Sequence, residues 1–242
     1  MADKRLDRLL SLLSVATRSQ ARQMVRAGRI AVDGVPAQDV GQKVGENAAV
    51  TVDGMPLDTR LDLHLMLNKP LGLVTAHRDA RQETVMSLLP DKCRSLGCMP
   101  VGRLDKDTEG LLLFTTDGET AHRLLAPKRA IPKTYCATVT GRLTDNDVAS
   151  FAQGIELSDF TALPATLSVK SANEQESTAL VTVCEGKFHQ VRRMFLAVGH
   201  KVTALRRLSF GPLRLPQDLA PGQWRELTQE EWAQLKEAAD HA

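Results

Sequence analysis

The segment Gly102–Gly110 (GRLDKDTEG) concentrates charged side chains between two glycines. It directly precedes the apolar run Leu111–Phe114, so we expect a polar loop at the edge of a strand. A carboxylate in such a loop can act as a nucleophile or a base. Asp105 and Asp107 together could instead contribute to a metal site or form the acid pair of a glycoside hydrolase. The spacing of these residues does not choose between the alternatives.

Composition and charge narrow the range of functions. The net charge is +2, but residues 1–30 carry seven basic and two acidic side chains, and residues 185–214 carry seven and one. Two positive regions on an otherwise acidic chain suit a polyanionic partner. No dinucleotide-binding or P-loop pattern is present. The irregular spacing of the cysteines indicates reduced thiols rather than disulfides or a metal centre, and these residues are Cys93, Cys98, Cys136 and Cys184.

The first 60 residues are predicted to form a compact α-α-β-β module. Leucines at positions 6, 9, 10 and 13 have the spacing of an amphipathic helix, and a second helix is predicted from an N-cap at Ser19 to a stop at Gly28. Ile30–Val32 and Ala49–Val52 are predicted strands, each followed by an Asp-Gly turn. With its segment Gly28–Gly34 (GRIAVDG), this module resembles the S4 domain, a small RNA-binding fold.

Basic residues of this module are candidates for contact with RNA. Arg18, Arg22 and Arg26 are four residues apart and share one helical face, and no carboxylate lies between residues 7 and 33 to neutralise them. We therefore expect this face to contact phosphates. The RNA-binding residues predicted here are Arg5, Arg18, Arg22, Arg26 and Arg29.

Residues 61–242 are predicted to form a second domain, after a linker at residues 55–63. Six strands are predicted, at Leu65–Leu67, Leu111–Thr115, Cys136–Thr140, Leu167–Lys170, Ala179–Val183 and Val202–Leu205. Helices are predicted between and after the strands, with N-terminal signals at Thr116, Thr144 and Thr228 and one helix over Gln190–Val198. Irregular alternation of short elements predicts an α+β fold around a mixed, mostly antiparallel sheet.

Four segments of this second domain resemble motifs of one family in the same order. The loop at residues 102–111 is similar to the G-R-L-D-x-x-T-x-G-L motif of pseudouridine synthases. Leu67–Gly72 (LNKPLG), Lys133–Tyr135 (KTY) and Glu185–Met194 (EGKFHQVRRM) resemble the other motifs. Together with the S4-like module, the resemblance is to the RsuA family and covers essentially the whole chain.

The resemblance implies a role for each matching residue. Asp105 corresponds to the catalytic carboxylate, Tyr135 to the residue that lies against the target base, and Arg192 to the basic residue that pairs with the catalytic aspartate. Further residues of these motifs are predicted to contact RNA, namely Lys69, Arg103, Lys187, His189, Gln190 and Arg193. The family reaction needs neither a cofactor nor a metal, and we expect none here.

The predicted function is the isomerisation of a uridine to pseudouridine in ribosomal RNA by a monomeric cytoplasmic enzyme. No secretion signal and no bilayer-length apolar run is present. The motif sequence KTY at Lys133–Tyr135 and the absence of a long basic C-terminal tail favour 16S RNA as the substrate, with 23S RNA as the alternative. A non-catalytic ribosome-assembly factor would keep the S4-like module without needing Asp105, Tyr135 or Arg192. A glycoside hydrolase would be expected to contain more aromatic residues than the 4% found here.

Overall fold

The structure, a computed structural model, describes residues 3–241. The chain divides into two compact units. The first comprises the described residues as far as Leu63 together with Leu89–Cys98, and the second comprises His64–Leu88 and the chain from Met99 onwards. The sequence predicted one boundary after residue 60. The return of Leu89–Cys98 to the first unit is not visible in local patterns, because it depends on tertiary packing.

The first unit has the predicted order of two helices followed by antiparallel strands. Its helices are α1 (Leu6–Leu12), α2 (Arg18–Arg26) and α3 (Asp91–Ser95). Its strands are β1 (Lys4–Arg5), β2 (Ile30–Val32), β3 (Val35–Pro36), β4 (Lys43–Val44), β5 (Val50–Val52) and β6 (Met55–Pro56). One sheet has the order β3-β2-β5-β6, and β1 pairs with β4. Leu6 and Leu10 of α1 and Ile30 of β2 are completely buried at the core of this unit.

Both Asp-Gly turns are confirmed and explain the short outer strands. Asp33 and Gly34 have φ angles of 51° and 78°, and Asp53 and Gly54 have 54° and 78°. Two successive residues with positive φ form the type of tight turn that joins antiparallel strands. The first turn joins β2 to β3 and the second joins β5 to β6. Residues 55 and 56 therefore belong to a strand and not to the predicted linker.

The second unit is built on a nine-stranded sheet. Its path is β13-β14-β10-β15-β9-β7-β17, with β16 added to β15 and β8 added to β9. The β15–β9 pair is parallel and the other pairs are antiparallel, which confirms the predicted mixed sheet. The strands are β7 (His64–Lys69), β8 (Met99–Val101), β9 (Glu109–Thr115), β10 (Lys133–Thr140), β13 (Thr166–Ala172), β14 (Glu176–Val183), β15 (Val202–Phe210), β16 (Leu213–Arg214) and β17 (Trp224–Glu226). β11 (Ile155–Glu156) and β12 (Thr161–Ala162) form a separate pair.

Four helices accompany this sheet: α4 (Gly118–Leu125), α5 (Asp145–Gln153), α6 (Gln190–Ala197) and α7 (Gln229–His241). Leu124 of α4 and Leu235 of α7 pack in one buried cluster with Phe210 of β15. In the described part of the chain, no helix has the length and apolar character needed to cross a membrane.

Side-chain caps define where the helices begin. The N-cap of α2 is Thr17 and not Ser19, because Gln20 returns its carboxamide oxygen to the Thr17 N–H at 2.9 Å. The N-cap of α4 is Asp117 and not Thr116, since the Asp117 carboxylate accepts the Thr120 N–H at 2.9 Å. The caps predicted at Thr144 and Thr228 are confirmed. The Asp147 carboxylate accepts the backbone N–H of Thr144 at 2.7 Å, and the Glu231 carboxylate accepts that of Thr228 at 2.9 Å.

Candidate active site

The backbone on both sides of Asp105 is held by buried side chains. The Thr75 hydroxyl donates to the carbonyl oxygen of Leu104 at 2.7 Å and accepts the Leu104 N–H at 3.2 Å. On the other side, Lys69 Nζ donates to the Thr108 carbonyl oxygen at 2.9 Å. The carboxylate of Asp105 is therefore presented by a loop whose position is set by hydrogen bonds before and after it.

Gly110 allows this loop to lie directly against strand β15. Its φ of +105° is unfavourable for residues with a side chain, and Gly110 faces Arg207 in the parallel β9–β15 pair. A Cβ at this position would overlap the backbone of Arg207. The glycine that ends the loop is thus required by the close approach of two strands.

Asp105, Tyr135 and Arg192 line one cleft of the second unit, with a volume of about 740 Å³. The Asp105 side chain is 32% exposed, and Nε2 of His189 lies 3.4 Å from its Oδ1. The His189 ring is stacked on Phe188 with the ring centres 3.9 Å apart. The three residues predicted as catalytic thus line one cleft, and His189, predicted only to contact RNA, lies against the Asp105 carboxylate.

The predicted pairing of Arg192 with Asp105 is wrong. The Arg192 guanidinium pairs with the Asp107 carboxylate at 3.0 Å and donates to the Asp107 carbonyl oxygen at 2.8 Å. A second nitrogen donates to the carbonyl oxygen of Val202 at 3.3 Å. Arg192 thus fixes the residue two positions beyond Asp105, which the motif alone could not distinguish from a direct ion pair.

The ion pair between Arg192 and Asp107 also bears on whether Asp105 and Asp107 could form a metal site or the acid pair of a glycoside hydrolase. Asp107 is engaged by Arg192, so it is not free to act with Asp105 as a matched acid pair. Among the described residues, no three His, Cys, Asp or Glu side chains are grouped so that they could hold a metal ion.

Tyr135 lies on the central strand β10 and is 9% exposed. It faces Val181 of β14 on one side and Arg207 of β15 on the other. Lys133 and Arg207 also line the cleft and are 8% and 2% exposed. The sequence singled out neither of these two as a site residue. The alternating pattern of β15, extended past Leu205, would have placed Arg207 on its buried face.

Comparison with known proteins agrees with this arrangement. Residues 63–197 match the family described as RNA pseudouridylate synthase, and residues 4–50 match the S4 domain. The chain belongs to the RNA pseudouridylate synthase family. Its first unit contains the S4 domain.

Relatives of this synthase align over nearly its whole length. It is 40% identical to the ribosomal small subunit pseudouridine synthase A of Vibrio parahaemolyticus, over 94% of this chain and 97% of the relative. It is 34% identical to the ribosomal large subunit pseudouridine synthase B of Bacillus subtilis, over 98% of each chain. A crystal structure of a pseudouridylate synthase matches with a TM-score of 0.67 and 31% identity, over 96% of this chain and 99% of that one.

Two residues of the synthase predicted to contact RNA are buried and hydrogen-bonded within the second unit. Lys69 is completely buried, and its Nζ is bound to the carbonyl oxygens of Pro70 and Thr108. Gln190 is 4% exposed, donates to Glu185 at 2.7 Å and accepts the Lys187 N–H at 3.0 Å. Both side chains therefore shape the loops of the cleft, and their contact with RNA stays a prediction.

The remaining predicted residues of the second unit stay at or near the surface. Arg103 is exposed and lines the cleft, and Lys187 lines it as well, with Nζ 5.2 Å from the centre of the Phe160 ring. Arg193 forms an ion pair with Asp159. Contact of these three residues with RNA stays a prediction.

The basic face of the S4 unit is largely as predicted. Arg18, Arg22 and Arg26 are exposed on α2, and no hydrogen bond or ion pair of their side chains is found among residues 3–241. Arg29, also predicted to contact RNA, pairs with Asp53 at 2.6 Å, so its charge is partly neutralised. Arg5 likewise pairs with Asp7 at 3.0 Å.

Electrostatics inside the second unit are dominated by burial of cations. Burial lowers the pKa of Lys69 to about 8, although Asp105, Asp107 and Glu109 act in the opposite direction. Burial also lowers the pKa of Lys133 to about 8, with a further contribution from the charge of Arg207. Desolvation disfavours the charged form of a lysine, which explains the direction of both shifts.

Proposed function

We propose that this synthase isomerises a uridine of ribosomal RNA to pseudouridine and that Asp105 is its catalytic carboxylate. The observation that carries the proposal is the presentation of Asp105 in the cleft by a loop held on both sides, at Leu104 and Thr108. The reaction breaks the N1–C1′ bond of uridine and forms a C5–C1′ bond. A positioned carboxylate can act in it as a nucleophile or as a base, and no cofactor is required.

The surroundings of Asp105 suit a base that has left its stack in folded RNA. Tyr135 lines the cleft, and the exposed ring of Phe188 at its rim offers an aromatic face. Bases of single-stranded RNA stack on such rings, and removing a base from its stack costs a few kcal/mol. Arg103 and the basic face of α2 would supply contacts to phosphates.

We further propose small-subunit (16S) RNA as the substrate, with the enzyme acting as a cytoplasmic monomer. The assignment to 16S RNA is supported by sequence identity, which is 40% to the relative named for the small subunit and 34% to the relative named for the large subunit. The large-subunit relative keeps 23S RNA as the alternative substrate.

The test is release of tritium from C5-labelled uridine, because isomerisation expels the hydrogen on C5. The substrates are 16S and 23S transcripts, each tested free and assembled with ribosomal proteins. We compare wild type with Asp105→Asn, which preserves shape, and with Glu119→Gln, which removes an exposed carboxylate at the start of α4.

We expect the wild type and Glu119→Gln to release tritium from 16S substrates and Asp105→Asn to release none. Release from 23S substrates alone would overturn the 16S assignment. Binding of RNA by the wild type without any release would favour an assembly factor. Full activity of Asp105→Asn would remove Asp105 from the mechanism.

A further inference from the structure

Two cationic side chains lie buried beneath the cleft on neighbouring strands. Lys133 begins β10, Arg207 lies on β15, and both line the cleft that contains Asp105. Their exposed fractions are 8% and 2%. Arg207 is the cross-strand neighbour of Tyr135, so its charge lies close to the side chain proposed to receive the base.

Neither cation has an acidic partner among the described residues. Lys133 Nζ donates to the carbonyl oxygen of Ile131 at 2.6 Å, and Arg207 Nε donates to that of Leu111 at 2.7 Å. Nη2 of Arg207 is buried and has no hydrogen-bond partner within the described part of the chain. The two cations lie 5.4 Å and 5.5 Å from the centre of the same ring, that of Phe210.

Burial of two cations without an acidic partner costs stability, because desolvation disfavours a charge and like charges repel each other. The hydrogen bonds to two carbonyl oxygens and the contacts with the Phe210 ring offset part of this cost. Glu185, which acts on Lys133 from a distance, already accepts a hydrogen bond from Gln190. A bound group with negative charge would complete the site.

The proposed reaction generates such a group in this cleft. When the N1–C1′ bond breaks, its electron pair stays on N1, and the negative charge spreads over the uracil ring to O2 and O4. If Asp105 bonds to C1′, it becomes a neutral ester, and if it takes the 2′ proton, it becomes a neutral acid. By either route, one negative charge moves from Asp105 to the uracil.

We propose that Arg207, assisted by Lys133, donates hydrogen bonds to a carbonyl oxygen of the target uracil and stabilises the uracilate anion released by glycosidic cleavage. The inference rests on the proposed function. When C5 bonds to C1′, Asp105 recovers its charge, either because its ester bond to C1′ breaks or because it returns its proton to C2′. C5 then loses its hydrogen as a proton, and N1 gains a proton. The cations therefore act at the intermediate and not in the overall balance.

Leaving-group chemistry distinguishes this role from a structural one. Fluorine at C5 withdraws electrons and stabilises the uracilate without help from the protein. We compare single-turnover loss of uridine and of 5-fluorouridine at the target position, measured by chromatography of nuclease digests. The variants are Arg207→Gln, Arg207→Lys and Lys133→Met. The matched control is Arg206→Gln, on the opposite face of β15.

We expect Arg207→Gln to slow loss of uridine by about 10² to 10³-fold, the usual effect of removing one donor to a developing anion. For 5-fluorouridine, the reduction in rate caused by the same variant should be smaller than the reduction for uridine by a factor of about ten or more. The affinity of the variant for RNA should remain that of wild type. Arg207→Lys should recover part of the rate, and Arg206→Gln should behave as wild type. Thermal unfolding of each variant reports whether it folds, and Lys133→Met provides the same comparison if Arg207→Gln does not.

Three outcomes would overturn the inference. Equal slowing of both substrates indicates that the cations only support the fold. Lost RNA affinity that accounts for the whole effect indicates a site for phosphate. Wild-type rates in Arg207→Gln and Lys133→Met exclude both residues from the reaction. Inactivity of the wild-type enzyme towards both substrates would contradict the proposed function itself, which separates the two failures.

Discussion

Replacing Thr75 by valine removes the hydroxyl that holds the residue before Asp105. This hydroxyl donates to the Leu104 carbonyl oxygen at 2.7 Å and accepts its N–H at 3.2 Å. Thr75 is 7% exposed and Leu104 is 5% exposed, so water does not readily replace either bond. Valine has nearly the same shape as threonine, so the change isolates the hydrogen bonds.

The expected loss of stability follows from the two backbone groups left without partners. Each such buried group costs roughly 1–3 kcal/mol, so we expect the free energy of unfolding to fall by about 2–6 kcal/mol. For a chain of this size, where 1 kcal/mol shifts the melting temperature by about 2–4 °C, the melting temperature should fall by about 4–24 °C. Asp105 follows Leu104 directly, and a displacement of about 1 Å can cost 10²-fold in rate. We therefore expect kcat to fall by about 10 to 100-fold, with KM for RNA unchanged.

The assay combines tritium release, which gives kcat and KM, with thermal unfolding of the same preparations. Thr75→Ser is the control, because it keeps the hydroxyl and loses one methyl group, worth about 0.8 kcal/mol. It should retain most of the activity. A valine variant with reduced stability and wild-type kcat would refute the idea that Thr75 positions Asp105, and a valine variant unchanged in both would refute the contribution of the two bonds.

Three further predictions concern the cleft rim, the S4 unit and a buried lysine. Phe188→Ala should leave stability unchanged, since the ring is 71% exposed, but should weaken RNA binding by about 1–3 kcal/mol in a filter-binding assay. Leu196→Ala, at a residue 66% exposed on α6, is its control, and equal effects would argue against stacking. Arg22→Gln should lower the salt dependence of RNA binding, the slope of log K against log salt, by about 0.7–0.9. Arg29→Gln should lower it less because Asp53 already pairs with Arg29, and the reverse order would contradict the assignment. The pKa of Lys69 is about 8 in the folded state, below its usual 10.5. Between pH 8 and pH 10.5 the unfolded chain therefore binds this proton more than the folded chain does. The free energy of unfolding should accordingly rise with pH across this interval. In chemical denaturation, Lys69→Met should remove up to about 1 kcal/mol per pH unit of that rise, whereas Lys170→Met should not, and identical slopes in Lys69→Met and wild type would contradict the burial argument.

Local patterns were sufficient where the physics is local. The leucine spacing of α1, the Asp-Gly turns and the carboxylate after Thr228 act between residues a few positions apart, and each is confirmed. The six predicted strands of the second unit are all present, because a run of apolar and β-branched residues reflects burial in a sheet. The N-cap predicted at Ser19 was wrong by two residues, because Thr17 and not Ser19 has a glutamine three residues later, Gln20, which completes a capping box.

Charge pairing could not be predicted from neighbours in the sequence. Asp53 neutralises Arg29 although it lies 24 positions away in the sequence, because the strands β2 and β5 pair and bring the two residues together. Arg192 lies 85 positions from Asp107, and a motif records which residues occur but not which of two aspartates receives the guanidinium. The same limitation applies to Lys69, whose exposure depends on how the loops cover it.

The sequence by itself determined the family resemblance, the α+β class and the candidate carboxylate, because these depend on residue types in a fixed order. Only the tertiary structure decided that His189 faces Asp105, that Arg192 holds Asp107, and that Thr75 and Lys69 fix the loop between β8 and β9. It also revealed Lys133 and Arg207 as buried cations beneath the cleft that have no acidic partner among residues 3–241. The physical reason is that burial and hydrogen bonding depend on the distance between atoms in space, and strands far apart in the sequence bring these side chains together.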